Sequence, residues 1–194
     1  MTGPLIATLT VNPAVDVSAE VDRLEPERKL RCEAVRHDPG GGGVNVARVI
    51  RRLGGDALAV LAAGGDAGAR LSRLLAAEGV ETRAVPIAGE TREDFTALDR
   101  SSGRQYRFVL PGPQLARAEL QRIVSQTVGL TPKPSVVVAS GSLPPGAPPD
   151  LYGRLARRLA RRGVRMALDA SGPALAAGLA AGVWLAKPNL RELA

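Results

Sequence analysis

Four consecutive glycines, Gly40 to Gly43, lead through Val44 into Asn45 and an amphipathic stretch that runs to Leu53. That pattern carries a chemistry. Glycines have no Cβ, so the backbone can come within contact distance of a ligand. Main-chain N–H groups at the start of a helix point at whatever sits there, and an anion or a sugar hydroxyl can accept them. The Asn45 amide adds a group that both donates and accepts. Two familiar glycine motifs do not fit. The dinucleotide fingerprint G-x-G-x-x-G/A fails, because windows opening at Gly40 and Gly41 end on Asn45 and Val46. The phosphate loop G-x-x-x-x-G-K-S/T fails too, since no Lys-Ser or Lys-Thr pair occurs in the chain.

The elements that must position this loop follow from the hydrophobic pattern. Val46, Val49, Ile50 and Leu53 recur at helical spacing and predict the core face of a helix. Arg48, Arg51 and Arg52 take its other faces, and Gly54-Gly55 end it. Upstream, Leu5 to Val11 reads as a buried strand stopped by Asn12-Pro13, with Asp16 in the following turn. A short strand is expected over 17–21 and an edge strand over 29–37. Downstream come a strand over 57–63 and a helix over 67–78, with Asp66 as N-cap and Leu71, Leu74 and Leu75 facing inward. An extended segment over 80–87 and a hairpin of 95–99 with 105–110 follow. The rest alternates: helix 115–128, Val-rich strand 135–139, helix 149–162, strand 164–168, helix 173–181, strand 183–186.

Strands alternating with helices predict an α/β fold with a mostly parallel sheet covered on both faces. The hairpin and the strands between residues 17 and 37 break the rhythm and read as a small separate β layer. In such folds ligands bind beyond the carboxyl ends of the strands. The polar segments 12–16, 64–65, 140–146, 169–172 and 187–189 all fall there.

Composition bounds the function. The 194 residues suffice for one domain, and the apolar and charged contents of 45% and 23% are those of a soluble globular protein. No apolar run reaches the roughly 18–20 residues that span a membrane. The N-terminus lacks a basic region and reads as a strand, not a signal peptide, so a cytoplasmic location and no membrane partner are expected. The single Cys32 excludes an internal disulfide and a cysteine zinc site, and reads as a small buried or interface residue. The net charge of +7 raises the question of nucleic acid. Nucleic acid is not expected as a partner. The basic residues are almost all Arg and are spread over helix faces, and aromatics make up only 3% of the chain. The densest cluster, Arg154, Arg157, Arg158, Arg161 and Arg162, reads as a solvated helix face. His37, the one histidine, reads as a surface residue of the β layer.

With these residues in view, the chain resembles the PfkB sugar-kinase family of the ribokinase-like fold, and within it the PfkB-type 6-phosphofructokinases. The resemblance runs from Leu5 to the end. It is carried by Thr10-Val-Asn-Pro-Ala-Val-Asp16, Lys29-Leu-Arg-Cys32, Gly42-Gly-Val-Asn-Val-Ala47, Gln105-Tyr-Arg-Phe-Val-Leu-Pro-Gly112, Ser140-Gly-Ser-Leu-Pro-Pro-Gly146 and Lys187-Pro-Asn-Leu-Arg-Glu192. It implies a three-layer α/β/α domain with a small β lid inserted at about 16–38 and 88–110. It also implies transfer of the ATP γ-phosphoryl group to the 1-hydroxyl of fructose 6-phosphate. By the same resemblance, Asp16 and Asn45 bind sugar hydroxyls beside the backbone of Gly41, Gly42 and Gly43. Arg92 and Arg107 hold the 6-phosphate, and Ser142 contacts substrate. Lys29, Lys187 and Asn189 face the nucleotide, and Glu192 positions Mg²⁺. The lid covers the sugar and pairs with a second subunit as a homodimer. Asp169 is read only as a cap for the next helix.

Family members have about 300 residues, and their Gly-Ala-Gly-Asp element, with the catalytic Asp and the anion hole, is expected beyond residue 194. The chain is therefore expected to be one incomplete domain that binds sugar phosphate weakly and has little or no kinase activity alone. Two other readings stay open. One is a kinase for fructose 1-phosphate or tagatose 6-phosphate on the same site. The other is a non-catalytic sugar-phosphate-binding protein.

Overall fold

The computed structural model describes residues 5–193. Met1 to Pro4, the start of the stretch read as non-signal, and Ala194 lie outside the described residues. Two sheets organise the chain. The larger is six-stranded and wholly parallel, in the order β10-β9-β8-β1-β4-β5. Its strands are β1 (Ile6–Thr10), β4 (Ala57–Ala63), β5 (Glu81–Pro86), β8 (Val136–Ser140), β9 (Arg165–Asp169) and β10 (Leu185–Ala186). The smaller sheet has four strands in the order β3-β2-β6-β7: β2 (Ala14–Val21), β3 (Glu33–Gly40), β6 (Arg92–Asp99) and β7 (Arg104–Phe108). Its pairings are antiparallel except for β2 with β6. These are the strands expected to stand apart from the α/β rhythm.

The large sheet is covered on both faces because its central strands are apolar in both directions. In β4, Leu58, Val60 and Ala62 point to one core, and Ala57, Ala59 and Leu61 to the other. The first core packs under α3 (Arg117–Val128), α4 (Leu151–Ala160) and α5 (Gly172–Ala180). The second packs under α1 (Gly42–Arg52) and α2 (Gly65–Ala77). A four-residue α6 (Leu190–Leu193) ends the described chain. Among the described residues, no helix is long and apolar enough to cross a membrane.

Several local expectations are corrected. Asp16 lies in β2, not in a turn: Ala14 and Val15 are buried, which extends the strand back to the Pro13 break. The glycine run is half strand and half helix, since Gly40 ends β3 and α1 begins at Gly42, making Asn45 its fourth residue. The face of α1 turned to the sheet is built from Gly43, Val44 and Ala47. Val49 and Leu53 are exposed instead, at 51% and 82%. The small residues win because they let the helix lie close on β1. Asp66 is not a cap; Gly64 holds that position and Asp66 sits in the first turn of α2. Leu71 and Leu75 are fully buried, while Leu74 is only partly so. Cys32 is exposed, not buried.

Long-range side-chain bonds tie loops to this frame. Glu119, buried, accepts from Ala88 N and from Ala116 N, both at 2.7 Å, joining α3 to the β5–β6 loop. Asp99 accepts from Ser101 Oγ at 2.7 Å and from the Leu24 and Ser102 amides. These bonds hold its carboxyl down to about 2.

Candidate functional site

The glycines do two jobs, and one differs from the expected close approach to a ligand. Gly41, the N-cap of α1, has φ of 114°, a conformation that side chains with a Cβ rarely adopt. The others make room for neighbours. A Cβ on Gly40 would lie 2.5 Å from the Asp16 carboxylate, and one on Gly42 2.2 Å from Ser140 Oγ. A Cβ on Gly43 would lie 2.6 Å from Leu9 O and Thr10 Oγ1. The run therefore presses the start of α1 onto β1 and β8. Among the described residues no side chain caps that helix.

Asn45 is exposed at this end and is held from behind. Arg48, one turn later, donates from Nη1 to Asn45 Oδ1 at 3.3 Å and to Pro39 O at 3.0 Å. Its Nε and Nη2 grip both Glu78 oxygens at 2.8 and 2.6 Å. This forked pair keeps the Glu78 carboxyl below its ordinary value. Because Asn45 Oδ1 faces a cation, its NH₂ is the end left to donate.

The register of the small sheet brings three carboxylates level. Asp16 of β2 sits between Asp38 of β3 and Asp94 of β6. Burial raises the Asp16 pKa above its ordinary value, Asp94 and then Asp38 add to that, and Arg107 and Arg92 pull it back. Asp16, Asp94 and Arg107 line one cavity of about 500 Å³ between this sheet and α1. Arg107 lies on β7 opposite Thr96 and is exposed.

Arg92 is held more firmly. Its side chain is 11% exposed, pairs with Asp94 at 3.1 Å, and donates to Leu110 O at 2.8 Å and Asn12 O at 3.3 Å. Its Nε is buried with no partner among the described residues. Asn12, 5% exposed, donates from Nδ2 to Pro111 O at 3.0 Å and Ser142 Oγ at 3.3 Å, while its Oδ1 is buried and unpaired among those residues. Arg92, Asn12 and Ser142 share a second, more open cavity of about 380 Å³. Asn12 thus bridges the exit of the β6–β7 hairpin to the loop after β8, a role not evident from its place in the sequence.

Three of the remaining predicted residues, Lys187, Asn189 and Glu192, follow the edge strand β10 of the large sheet. Lys187 Nζ pairs with Asp169 Oδ1 at 3.2 Å, and Ser140 Oγ donates to Asp169 Oδ2 at 3.1 Å. The Gly141 amide donates to Asp169 O at 3.0 Å. Asp169 is therefore not a helix cap. Ser171 holds the N-cap position of α5, and the Asp169 carboxylate instead joins β8 to the segment after β10. It lines a cavity of about 410 Å³ with Gly42, Asn45 and Ser140.

Asn189 and Glu192 close a reciprocal cap. Glu192 Oε2 accepts from Asn189 N at 2.8 Å, and Asn189 Oδ1 accepts from Glu192 N at 3.1 Å. Lys29 is exposed in the 22–32 connection between β2 and β3. The predicted residues therefore form two groups. Asp16 with Arg107, Arg92 with Ser142, and Asn45 line three separate cavities by the small sheet and the start of α1. Lys187, Asn189 and Glu192 follow β10, and Lys29 belongs to neither group. Gly42, Ser140 and Asp169 lie between them.

Comparison with known proteins decides the family. Residues 9–194 match the description pfkB family carbohydrate kinase. The chain belongs to the pfkB family. It is 47% identical over 190 residues to the ATP-dependent 6-phosphofructokinase isozyme 2 of Mycobacterium tuberculosis, covering 98% of this chain and 56% of that protein. It is 36% identical over 149 residues to a 1-phosphofructokinase of Xanthomonas campestris, covering 76% and 46%. Among solved structures, phosphofructokinase-2 from Escherichia coli in complex with fructose-6-phosphate superposes with a TM-score of 0.93 at 41% identity, over 98% of this chain and 63% of that one. The ribokinase-like fold expected from the motifs is thus the fold of this pfkB chain. The chain spans about half the length of the curated relatives it matches.

Proposed function

We propose that this pfkB chain supplies the sugar-binding half of an ATP-dependent 6-phosphofructokinase. The observation that carries the reading is the cavity shared by Asp16, Asp94 and Arg107, with Arg92 paired to Asp94 at 3.1 Å. A carboxylate beside two arginines suits a ligand that offers hydroxyl donors at one end and a dianion at the other. Asp16 accepts from sugar hydroxyls, the Asn45 NH₂ donates to another, and the amides of Gly41, Gly42 and Gly43 lie alongside. Arg92 and Arg107 take the 6-phosphate, for which their planar forks are suited. Ser142, steadied by Asn12, touches the sugar. The 1-hydroxyl of fructose 6-phosphate is the acceptor.

On the other side, Lys187 and Asn189 face the phosphates of ATP, with Lys29 reaching the nucleotide from the small sheet. Mg²⁺ is commonly held by one or two carboxylates together with substrate phosphates, and Glu192 would offer one such carboxylate. When bound, it would neutralise charge on the transferring phosphoryl group. Among the described residues no group of three or more His, Cys, Asp or Glu could hold a metal unaided. The small sheet acts as a lid that excludes water, and its exposed Val35, Tyr106, Phe108 and Val109 pair with a second subunit. The assembly works in the cytoplasm.

The test is ATP-dependent turnover by a protein of the relatives' length on fructose 6-phosphate, fructose 1-phosphate and tagatose 6-phosphate. Highest kcat/KM on fructose 6-phosphate is expected. Preference for fructose 1-phosphate would move the assignment to the reading that the Xanthomonas relative favours.

A further inference from the structure

A groove of about 560 Å³ runs between α3 and α4, on the face of the large sheet opposite α1. It lies outside both groups of predicted site residues. Its floor is apolar, from Leu120, Val124 and Leu151, all buried in the first core. Its rim is cationic, from Arg117, Arg154 and Arg158.

The charge around it is not balanced. Helix α3 and the segment 150–162 carry seven arginines and two carboxylates, Glu119 and Asp150. Both Glu119 oxygens accept backbone amides. Asp150 pairs with Arg154, through Nε at 2.8 Å. Arg158 has one long bond, 3.5 Å to Ser125 Oγ, and Arg117 has no side-chain hydrogen bond or ion pair among the described residues.

We infer that this groove binds a phosphate monoester with an apolar ring, the ring on the leucine floor and the phosphate between the arginines. An apolar floor with a few convergent charged groups is the usual make-up of a small-ligand site, and the volume lies within the usual range. Guanidinium groups meet phosphate oxygens in pairs and stack on flat rings. The groove also adjoins the loop that carries Ser142. Gly146, at one end, belongs to that loop, and Tyr152 of α4 donates to Gly141 O at 3.1 Å.

The probe is 1-naphthyl phosphate, titrated into the isotope-labelled 194-residue chain and followed by NMR, with 1-naphthol and inorganic phosphate as controls. Saturable shifts are expected at Leu120, Gln121, Val124 and Leu151, and they persist with fructose 6-phosphate present. Each control binds about tenfold more weakly or less, and Arg117→Gln with Arg158→Gln weakens the probe by about tenfold or more, as loss of charge-assisted bonds requires. Both arginines are exposed, so the variant keeps its fold, which its unperturbed spectrum verifies. Absence of shifts in α3 and α4, equal binding of either control, or undiminished affinity in the double variant would overturn the inference.

Discussion

The two groups of site residues differ in how they are held. Around the small sheet, Arg92 is 11% exposed and fixed by an ion pair and two carbonyls, Asn12 bridges two loops, and Arg48 orients Asn45 while gripping Glu78. Beyond β10, Lys187 is 74% exposed and rests on the Asp169 carboxylate, while Asn189 and Glu192 cap each other. A preorganised site loses little on binding, because its groups are already ordered. On the proposed function, the more firmly held group is the sugar side and the more exposed group the nucleotide side.

The largest effect should come from Arg92→Ala. Removing one partner of a nearly buried ion pair leaves Asp94 uncompensated beside Asp16. A loss of about 3 kcal/mol or more in urea unfolding is expected. An unchanged midpoint would mean that the small sheet does not depend on this pair. Next is Gly42→Ala, whose Cβ would meet Ser140 Oγ at 2.2 Å and the Gly141 amide at 2.9 Å. Overpacking of this kind costs about 1–3 kcal/mol, and thermal denaturation of the variant measures it.

Asn45→Ala should separate binding from folding. Its side chain is exposed, so stability should hold within about 0.5 kcal/mol. Fructose 6-phosphate affinity should fall about tenfold or more, read by calorimetric titration. Lys187→Ala should do least, changing stability by under about 1 kcal/mol and leaving sugar affinity alone. A sugar defect in that variant would erase the distinction between the two groups.

The pH dependence sharpens the same contrast. The folded-state pKa of Asp16 is raised, so the folded protein keeps this proton where the unfolded chain has lost it. Its contribution to stability is fullest below the ordinary value of 3.8 and is lost as pH rises through the raised value. On the proposed function, sugar binding runs the opposite way, since the ionised Asp16 carboxylate would be the acceptor. Affinity for fructose 6-phosphate should rise across that window, and Asp16→Asn should remove the part due to Asp16. The substrate phosphate also titrates near pH 6, so the difference between the two proteins is the quantity to read.

Much of this is legible in the sequence, and what is not shares a cause. The strands and helices are visible because each carries its own period. The buried face of α1 is not, because Val49 and Leu53 are more hydrophobic than Gly43 and Ala47, yet close approach to β1 selects the small residues. Asp16 and Asn45 stand out beside a proline break and a glycine run. Arg48, Asn12 and the true role of Asp169 do not, because their partners are distant in the chain: Glu78 lies 30 residues from Arg48, and Ser140 lies 29 from Asp169. Only the fold brings such pairs together.

The central claim is that this chain already holds the sugar side. The most direct measurement is a thermal-shift titration of the 194-residue chain with fructose 6-phosphate, beside Asn45→Ala. A ligand that binds only the folded state adds about 2.7 kcal/mol at a hundredfold excess over Kd. The account predicts a saturable rise in Tm for the parent chain that is much reduced in the variant. No rise at any concentration, or an equal rise in both proteins, would contradict it.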